Sequence, residues 1–556
     1  MTKNDVVNIK NKFESYYLET KYNKSKIVRK FRREYRLLER NRKRYNEKFL
    51  IREKEKVKEL LDNICGYSLD NEQREIVVKD DQNTLVIAGA GSGKSLTIIG
   101  KIRYLIERKN IPQNKILCIS FTNEATISLK NKLKKYYNYN IKVTTFHKLG
   151  LDIIKKNQSN IRIADSNTLD YLIEEYFNKK ELIPFICIYF GIKENDYEKY
   201  ISNHSYALKS LKELVATFIH LYKANFSSLE YYKKIFKSKI KWSKRDYMLL
   251  KIIYSIHKLY EEELQASLEI DFDDMLHLAT YYVKNNDFPY SYQYIIIDEY
   301  QDTSYSRFLL INSILEKTKA HLLAVGDDFQ SIYRFTGCDL NIFLNFKKYF
   351  NDATILKIKN TYRNPIELIQ IAGHFIMKNK KQMKKKLMSH IHLTNPIQIA
   401  YYNNKKEIFK KLISKIYNET KAEIMILGRN NRDIETVIDN DFHLEKDKLI
   451  YLKNKDILMK YYTVHRSKGL ECDNVIIINM EDRVLGFPSQ LNENKILKYV
   501  LNQKDYYPFE EERRLFYVAL TRTKNRVYLL VPNMRQSIFL KELQNDFNIE
   551  IIKNWN

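Results

Sequence analysis

The stretch Leu85-Val-Ile-Ala-Gly-Ala-Gly-Ser-Gly-Lys-Ser-Leu-Thr-Ile-Ile99 decides how the rest of the chain is read. Leu85-Val-Ile87 is a short apolar run that reads as a buried strand, and Leu96-Thr-Ile-Ile99 reads as the start of a helix. Strand, glycine-rich turn and helix, in that order, form the context in which a loop closes around phosphate oxygens. Glycine lets backbone N–H groups turn inward, and the helix N-terminus adds partial positive charge. The loop runs through Ala88, Gly89, Ala90, Gly91, Ser92, Gly93, Lys94 and Ser95, with Ala88 where the usual pattern has glycine. Lys94 is placed to reach β- and γ-phosphates, and the Ser95 hydroxyl to hold Mg²⁺.

Glycine usage sharpens the reading. The chain has 13 glycines in 556 residues, well under the average usage of roughly 7%. Gly89, Gly91 and Gly93 all fall in this one loop, where backbone must come close to a ligand.

Length predicts about three or four domains. The five cysteines (Cys65, Cys118, Cys187, Cys338, Cys472) are scattered, with no Cys-x-x-Cys pair, so neither a zinc site nor a disulfide framework is expected. The longest apolar stretch, Leu182 to Ile192, contains Pro184 and falls short of the roughly 20 residues of a membrane span. The polar start, Met-Thr-Lys-Asn-Asp, lacks a signal peptide's apolar stretch; the expectation is a cytoplasmic protein with no membrane partner. Net charge is +28, from 96 Lys+Arg and 68 Asp+Glu. That excess favours a polyanion such as nucleic acid, although richness in Lys, Asn, Ile and Tyr is also the mark of AT-rich coding.

Two further strands end in polar residues. Tyr294-Ile-Ile-Ile-Asp-Glu-Tyr-Gln-Asp-Thr303 is an apolar run that stops at acids. Asp298 can hold the Mg²⁺ that bridges two phosphates, and Glu299 can polarise the attacking water. In Leu322-Leu-Ala-Val-Gly-Asp-Asp-Phe-Gln-Ser-Ile-Tyr-Arg-Phe335, Gln330 is a candidate γ-phosphate sensor. Tyr333 and Phe335 alternate with polar residues as base-stacking platforms do, or belong to a core.

Together these segments resemble the superfamily 1 DNA helicases of the UvrD/Rep type. The resemblance implies that Gln73, in Leu69-Asp-Asn-Glu-Gln73, reads adenine. Ser120-Phe-Thr-Asn-Glu-Ala125 resembles motif Ia, implying that Phe121, Thr122 and Asn123 touch single-stranded DNA. Thr144-Thr-Phe-His147 resembles motif Ib, with Thr145 and His147 as DNA contacts, and Asp271-Phe-Asp-Asp-Met-Leu276 matches a further motif. Asn360-Thr-Tyr-Arg363 resembles motif IV, which implies Tyr362 stacked on adenine and Arg363 on the γ-phosphate. Thr463-Val-His-Arg-Ser-Lys-Gly-Leu-Glu471 resembles motif V, with Thr463 and His465 facing DNA and Glu471 the nucleotide sugar. Glu510 to Arg522 resembles motif VI, with Arg522 as arginine finger. Thr336 stands where relatives carry arginine, and Cys472 where phenylalanine is usual. Arg334-Phe-Thr-Gly337 and Gly486-Phe-Pro-Ser489 are closest to the helicase IV branch.

The fold implied is α/β: two RecA-like P-loop lobes with parallel sheets, a helical insertion in the first lobe and a reduced or absent 2B subdomain. The expected boundaries are 1–65 for a basic helical segment, 66–148 and 271–350 for the first lobe, 149–270 for the insertion, and 351–556 for the second lobe. A short or vestigial insertion is expected near 430–460, because about a hundred residues between Arg363 and Thr463 leave no room for a full 2B. In the first 65 residues, Ile27, Phe31, Tyr35, Leu38, Tyr45 and Phe49 share one helical stripe amid Lys and Arg. That helix packs on the motor, binds DNA or docks a partner. The run Lys378 to Lys386 reads as a solvated helix face or a DNA track.

The function implied is an ATP-dependent 3′–5′ translocase and helicase acting on single-stranded DNA and on single/double-strand junctions. Two other readings stand beside it: a motor subunit of an anti-phage or repair complex with a separate nuclease as partner, and an ATP-gated DNA-binding switch that does not move.

Overall fold

The computed structural model describes residues 12–19, 25–158, 160–226, 228–237, 243–285, 288–491, 493–501 and 507–553. The chain forms two compact units, one built from residues 1–80 and 99–110, the other from 81–98 and 111–556.

In the first unit the helix Lys26–Lys56 carries fourteen Lys and Arg against five Glu and starts on Ser25, whose hydroxyl accepts from the Val28 N–H at 3.3 Å. Its N-terminal third is covered by residues 12–19: Phe13 and Tyr16 pack on Phe31, and Tyr17 stacks on Tyr35. Its C-terminal end is tied down where Arg108 pairs with Glu53 at 2.8 Å, which also holds the Glu53 carboxyl below its usual range. Between these anchors the helix is bare, with Leu38 67% and Tyr45 71% exposed.

The second unit holds two sheets. Strands β1 (Asn83–Ala88), β2 (Ile116–Ser120) and β3 (Lys142–Thr145) come first, then a two-residue parallel pair, β4 (Arg162–Ile163) and β5 (Glu269–Ile270). Strands β6 (Tyr294–Ile297), β7 (His321–Gly326) and β8 (Ala353–Ile358) complete the first sheet, which is parallel throughout in the order β3-β2-β6-β7-β1-β8. Strands buried on both faces read as unbroken apolar runs, which is why Leu85-Val-Ile87 and Tyr294-Ile-Ile-Ile297 stand out. Helices Phe146–Asn157, Phe272–Asn285 and Tyr305–Thr318 pack on it. Between β4 and β5 a helical insertion has its own core, from Ala164 to Leu264, which also takes in Ile496, Leu497 and Val500 from much later in the chain.

Two expected boundaries move. Helix Phe146–Asn157 belongs to the sheet's core, so the insertion starts after it. Strand β8 is the edge of the first sheet, paired with β1 from Asn83↔Ala353 to Ala88↔Ile358, and the first lobe therefore extends past residue 350. An edge strand is only half-buried and carries Lys357 outward, so it lacks the apolar run that marks the others.

The second sheet is formed by β9 (Ile397–Tyr402), β10 (Ile424–Gly428), β11 (Phe442–Glu445), β12 (Lys448–Tyr451), β13 (Met459–Thr463), β14 (Asn474–Ile477), β15 (Val527–Pro532) and β16 (Glu550–Ile551). Its order is β11-β12-β13-β10-β14-β15-β9-β16. All pairings are parallel except those of the β11–β12 hairpin, which adds antiparallel strands to the β13 edge. Residues 429–458 thus build a turn and a hairpin that widen the sheet. Helices Ile366–Met377, Glu510–Leu520 and Ile538–Asp546 cover one face, and Lys405–Thr420 the other. Phe329 and Ile332, from the segment after β7, are buried in this second lobe's core. Among the described residues no helix is long and apolar enough to cross a membrane.

Candidate active site and nucleic-acid interface

The glycine loop leaves β1 at Ala88 and enters the helix Lys94–Arg103. Gly91 (φ +67°) and Gly93 (φ +77°) take left-handed backbone that an L side chain rarely adopts. Gly91 is constrained a second way. A Cβ on it would stand 2.4 Å from the Cβ of Arg363 and 2.7 Å from Thr361 Oγ1. The motif IV segment lies on the loop: the Thr361 hydroxyl donates to the Ala90 carbonyl at 2.8 Å, and the Tyr362 N–H to the Gly91 carbonyl at 2.9 Å. The Tyr362 ring is 52% exposed.

The acids sit at the tip of β6. Lys94 Nζ pairs with Glu299 Oε1 at 2.7 Å, and the Gln301 amide donates to the other oxygen at 2.5 Å. Glu299 has φ +51°, a turn that brings its N–H onto Asp298 Oδ1 at 2.9 Å. Burial pushes the Asp298 carboxyl up to about 6, helped by the neighbouring Glu299 charge. Burial would raise Glu299 as well, but Lys94 and Lys468 outweigh it and hold that carboxyl down at about 2. A half-buried carboxylate and an exposed hydroxyl, on Asp298 and Ser95, are hard oxygen donors of the kind Mg²⁺ takes when phosphate and water complete its shell. A bound cation would also relieve the desolvation that raises Asp298.

Two second-lobe arginines reach this place. Arg522 is buried; its Nε donates to the Val518 carbonyl at 3.0 Å, and Nη2 to Gln330 Oε1 at 3.1 Å. Burial and the nearby Arg363 pull the Arg522 guanidinium down to about 9, still cationic at neutral pH. Arg363 pairs with Glu471 through Nε at 2.9 Å and Nη2 at 2.8 Å. Gln330, Arg522, Arg363 and Glu471 are thus all partnered side chains.

The residues expected on DNA fall into two groups. One is an aromatic row. Phe121 and Tyr333 are parallel at 6.0 Å between centroids, Tyr333 meets Phe335 edge-on at 6.0 Å, and Phe335 meets His465 edge-on at 5.5 Å. The Tyr333 hydroxyl donates to the His465 carbonyl at 3.2 Å, and Phe335 is 57% exposed. Burial, with Arg429 and Lys468 nearby, lowers the His465 imidazole to about 4; His147, edge-on to Phe272, is lowered to about 4 by burial and Arg307. Both rings are neutral at physiological pH. The other group caps helices. Thr122 Oγ1 accepts from the Ala125 N–H at 3.2 Å and Thr145 Oγ1 from the Lys148 N–H at 3.3 Å, with Asn123 exposed at the first helical position. Thr463 is buried, its hydroxyl accepting from the Arg466 N–H at 3.3 Å.

Gln73 lies in the other unit, where its amide oxygen accepts from the Asp70 N–H at 2.9 Å in a capping box that starts helix Asn71–Val78. Several residues of the site have no counterpart in the sequence reading. Lys468, inside the quoted motif V stretch, pairs with buried Asp302. Arg307 lies 4.4 Å over the Phe121 ring. Lys385 is buried against Asp327 and Asp328 and Lys378 pairs with Asp546 at 2.6 Å, so the run Lys378 to Lys386 is not a solvated helix face, although Lys380, Lys381, Lys384 and Lys386 are exposed. A basic run gives no hint of which of its members is turned inward.

Comparison with known proteins agrees with this arrangement. Residues 69–351 match the UvrD/REP helicase N-terminal domain, and residues 436–533 the UvrD-like helicase C-terminal domain. DNA helicase IV of Escherichia coli (strain K12) is 26% identical over 510 residues, 86% of this chain and 70% of that protein. ATP-dependent DNA helicase Rep of Buchnera aphidicola subsp. Schizaphis graminum (strain Sg) is 31% identical over 504 residues, 87% of this chain and 67% of that protein. A probable DNA helicase II homolog of Mycoplasma capricolum is 29% identical over 339 residues, 59% of this chain and 43% of that protein.

Proposed function

We propose that this chain, which belongs to the UvrD/Rep-type family of superfamily 1 DNA helicases, hydrolyses ATP between its two lobes, moves 3′ to 5′ on single-stranded DNA and unwinds duplex. The observation that carries the reading is the meeting of the lobes at the phosphate loop: Arg522 reaches Gln330 at 3.1 Å, and the Arg363 segment lies on Ala90 and Gly91. Lys94 and the loop's N–H groups hold the β- and γ-phosphates. Glu299, ionised at any working pH, orients and polarises the attacking water, and Gln330 senses the γ-phosphate. Arg363 and Arg522 meet the charge that builds on the transferring group. A cation on Asp298 and Ser95 would neutralise phosphate oxygens, the usual part of Mg²⁺ in this chemistry. Phosphate contact draws Lys94 off Glu299, so the water-polarising carboxylate is released when a nucleotide is seated.

Movement follows from where the aromatic row runs. Phe121 follows first-lobe strand β2, while Tyr333 and Phe335 follow Phe329 and Ile332, which enter the second lobe's core, and His465 lies on the second lobe. A change in the cleft therefore shifts Phe121 against the other rings and hands a stacked base along, without sequence preference. Thr122, Asn123 and Thr145, at two helix N-termini, suit backbone phosphates. The bare, basic middle of helix Lys26–Lys56 suits duplex phosphates. The test is a translocation assay on end-labelled single strands, paired with unwinding of 3′- and 5′-tailed duplexes. ATP-dependent release at the 5′ end and unwinding of 3′-tailed duplex is the expected result. ATP-gated binding without displacement would replace the motor by a switch.

A further inference from the structure

After helix Ile366–Met377 the chain leaves the second lobe and runs as a strap along the first before returning at β9. Its start is anchored on the second lobe, where Lys378 pairs with Asp546 at 2.6 Å and the Asn379 amide donates to the Glu510 carbonyl at 3.2 Å. Its middle lies on the first lobe. The Lys384 carbonyl accepts from Lys357 Nζ at 2.7 Å, and a Cβ on Gly89 would stand 2.7 Å from Leu387. Between these contacts Lys385 turns inward and is 4% exposed. Its ammonium pairs with Asp327 and, at 2.6 Å, with Asp328, and lies 3.7 Å from the centre of the Phe329 ring. The Met383 N–H donates to the second oxygen of Asp328 at 2.8 Å.

Asp327 is the node that gives this ammonium its reach. Its backbone N–H donates to Gln301 Oε1 at 2.9 Å, and the Gln301 amide nitrogen donates to Glu299. Its Oδ2 accepts from the Gln330 amide nitrogen at 2.5 Å, which turns the amide oxygen toward Arg522. An amide that faced the other way would present N–H to the guanidinium, two donors in opposition. The orientation of Gln330 therefore depends on Asp327 being held as an acceptor at a fixed place, and Lys385 is the cation paired with it there.

We propose that Lys385 is a positioning residue for ATP hydrolysis: by clamping Asp327 it fixes the Gln330 amide and, through that amide, the approach of Arg522. The proposal rests on the reading of Gln330 and Arg522 as hydrolysis residues. Because the clamp comes from a strap anchored on the second lobe, it also registers the position of that lobe in the first lobe's phosphate sensor.

The experiment measures single-strand-stimulated ATPase and ADP affinity for Lys385→Met, Gln330→Ala and the two combined, in the full chain. The expected result is a kcat lowered about tenfold or more in Lys385→Met, KM and ADP affinity changed by less than about threefold, and no further loss when Lys385→Met is added to Gln330→Ala. Lys385→Arg, which keeps the charge, should recover part of kcat. Losses that multiply in the double variant, or an unchanged kcat in Lys385→Met, would overturn the proposal. Should Lys385→Met not fold, Lys385→Met with Asp328→Asn leaves one stranded acid instead of two and is read by the same criteria. A Gln330→Ala chain that hydrolyses at the normal rate defeats the underlying reading of the sensor; a slow Gln330→Ala beside a normal Lys385→Met defeats the Lys385 proposal alone.

Discussion

The nucleotide cleft and the helix Lys26–Lys56 both carry dense charge, and they treat it in opposite ways. In the cleft Lys94, Asp327, Lys385, Arg522 and Lys468 are buried or nearly so, each on a specific partner. Along the middle of the helix Arg33, Arg40 and Arg44 are exposed. A buried charge is fixed in place, and removing its partner strands it in low dielectric. An exposed charge contributes only to a summed field that salt screens. The aromatic row lies between these cases, apolar and half-open.

Substitutions should separate the three regions by the size of their effect. The largest belongs to the cleft. Lys94→Ala, Glu299→Gln and Arg522→Ala should each lower DNA-stimulated ATP hydrolysis by about 10³ or more. Glu299→Gln should keep nucleotide binding, because it preserves the shape beside the cation and phosphate ligands; steady-state turnover with a fluorescent-nucleotide titration checks both. Normal turnover in Glu299→Gln would remove its water-polarising part and with it the contrast.

Next comes the row. Phe335→Ala should cost about 1–3 kcal/mol of single-strand affinity, seen as a higher DNA concentration for half-maximal ATPase, while DNA-independent hydrolysis stays the same. Phe335→Trp should be near wild type. If Phe335→Ala only lowers the melting temperature, the ring belongs to the core.

The helix should give the smaller, additive response. Replacing Arg33, Arg40 and Arg44 together by Gln should weaken tailed-duplex binding several-fold at low salt. Each arginine that met a phosphate should also flatten the salt dependence by about one unit of log–log slope. Single-strand-stimulated ATPase should stay within about twofold. An ATPase loss equal to the unwinding loss would make the helix part of the motor's fold.

The smallest effect is one of pH. Burial pushes the Glu511 carboxyl, which accepts from the Arg334 N–H at 3.3 Å, up to about 7. A raised carboxyl binds protons more readily folded than unfolded, so its contribution falls as pH rises from about 4.5 to 7. Glu511→Gln, which mimics the protonated form, should raise the melting temperature by about 1–3 °C at pH 8 and leave it unchanged near pH 4. An equal gain at both values would point to packing.

These regions also differ in how far the sequence reveals them. The phosphate loop and the acids after β6 are legible because a buried parallel strand is an unbroken apolar run, and its end is abrupt. Partners are not legible: Lys94 and Glu299 lie 205 residues apart, Lys468 and Asp302 166. Lys385 is hidden among neighbours of its own kind, since a run of lysines looks the same whether one of them turns inward or none does. Strand β8 is missed because an edge carries polar residues outward. The turn in which the Thr463 hydroxyl accepts from the Arg466 N–H is likewise not legible from the motif.

Gly91 offers a mechanical handle. Because the segment Thr361–Arg363 rests directly on that residue, a single methyl group there would act as a spacer shim under the second lobe. Gly91→Ala would wedge that seam and strain the left-handed turn of the loop at once, so any grip on DNA lost in it reports both.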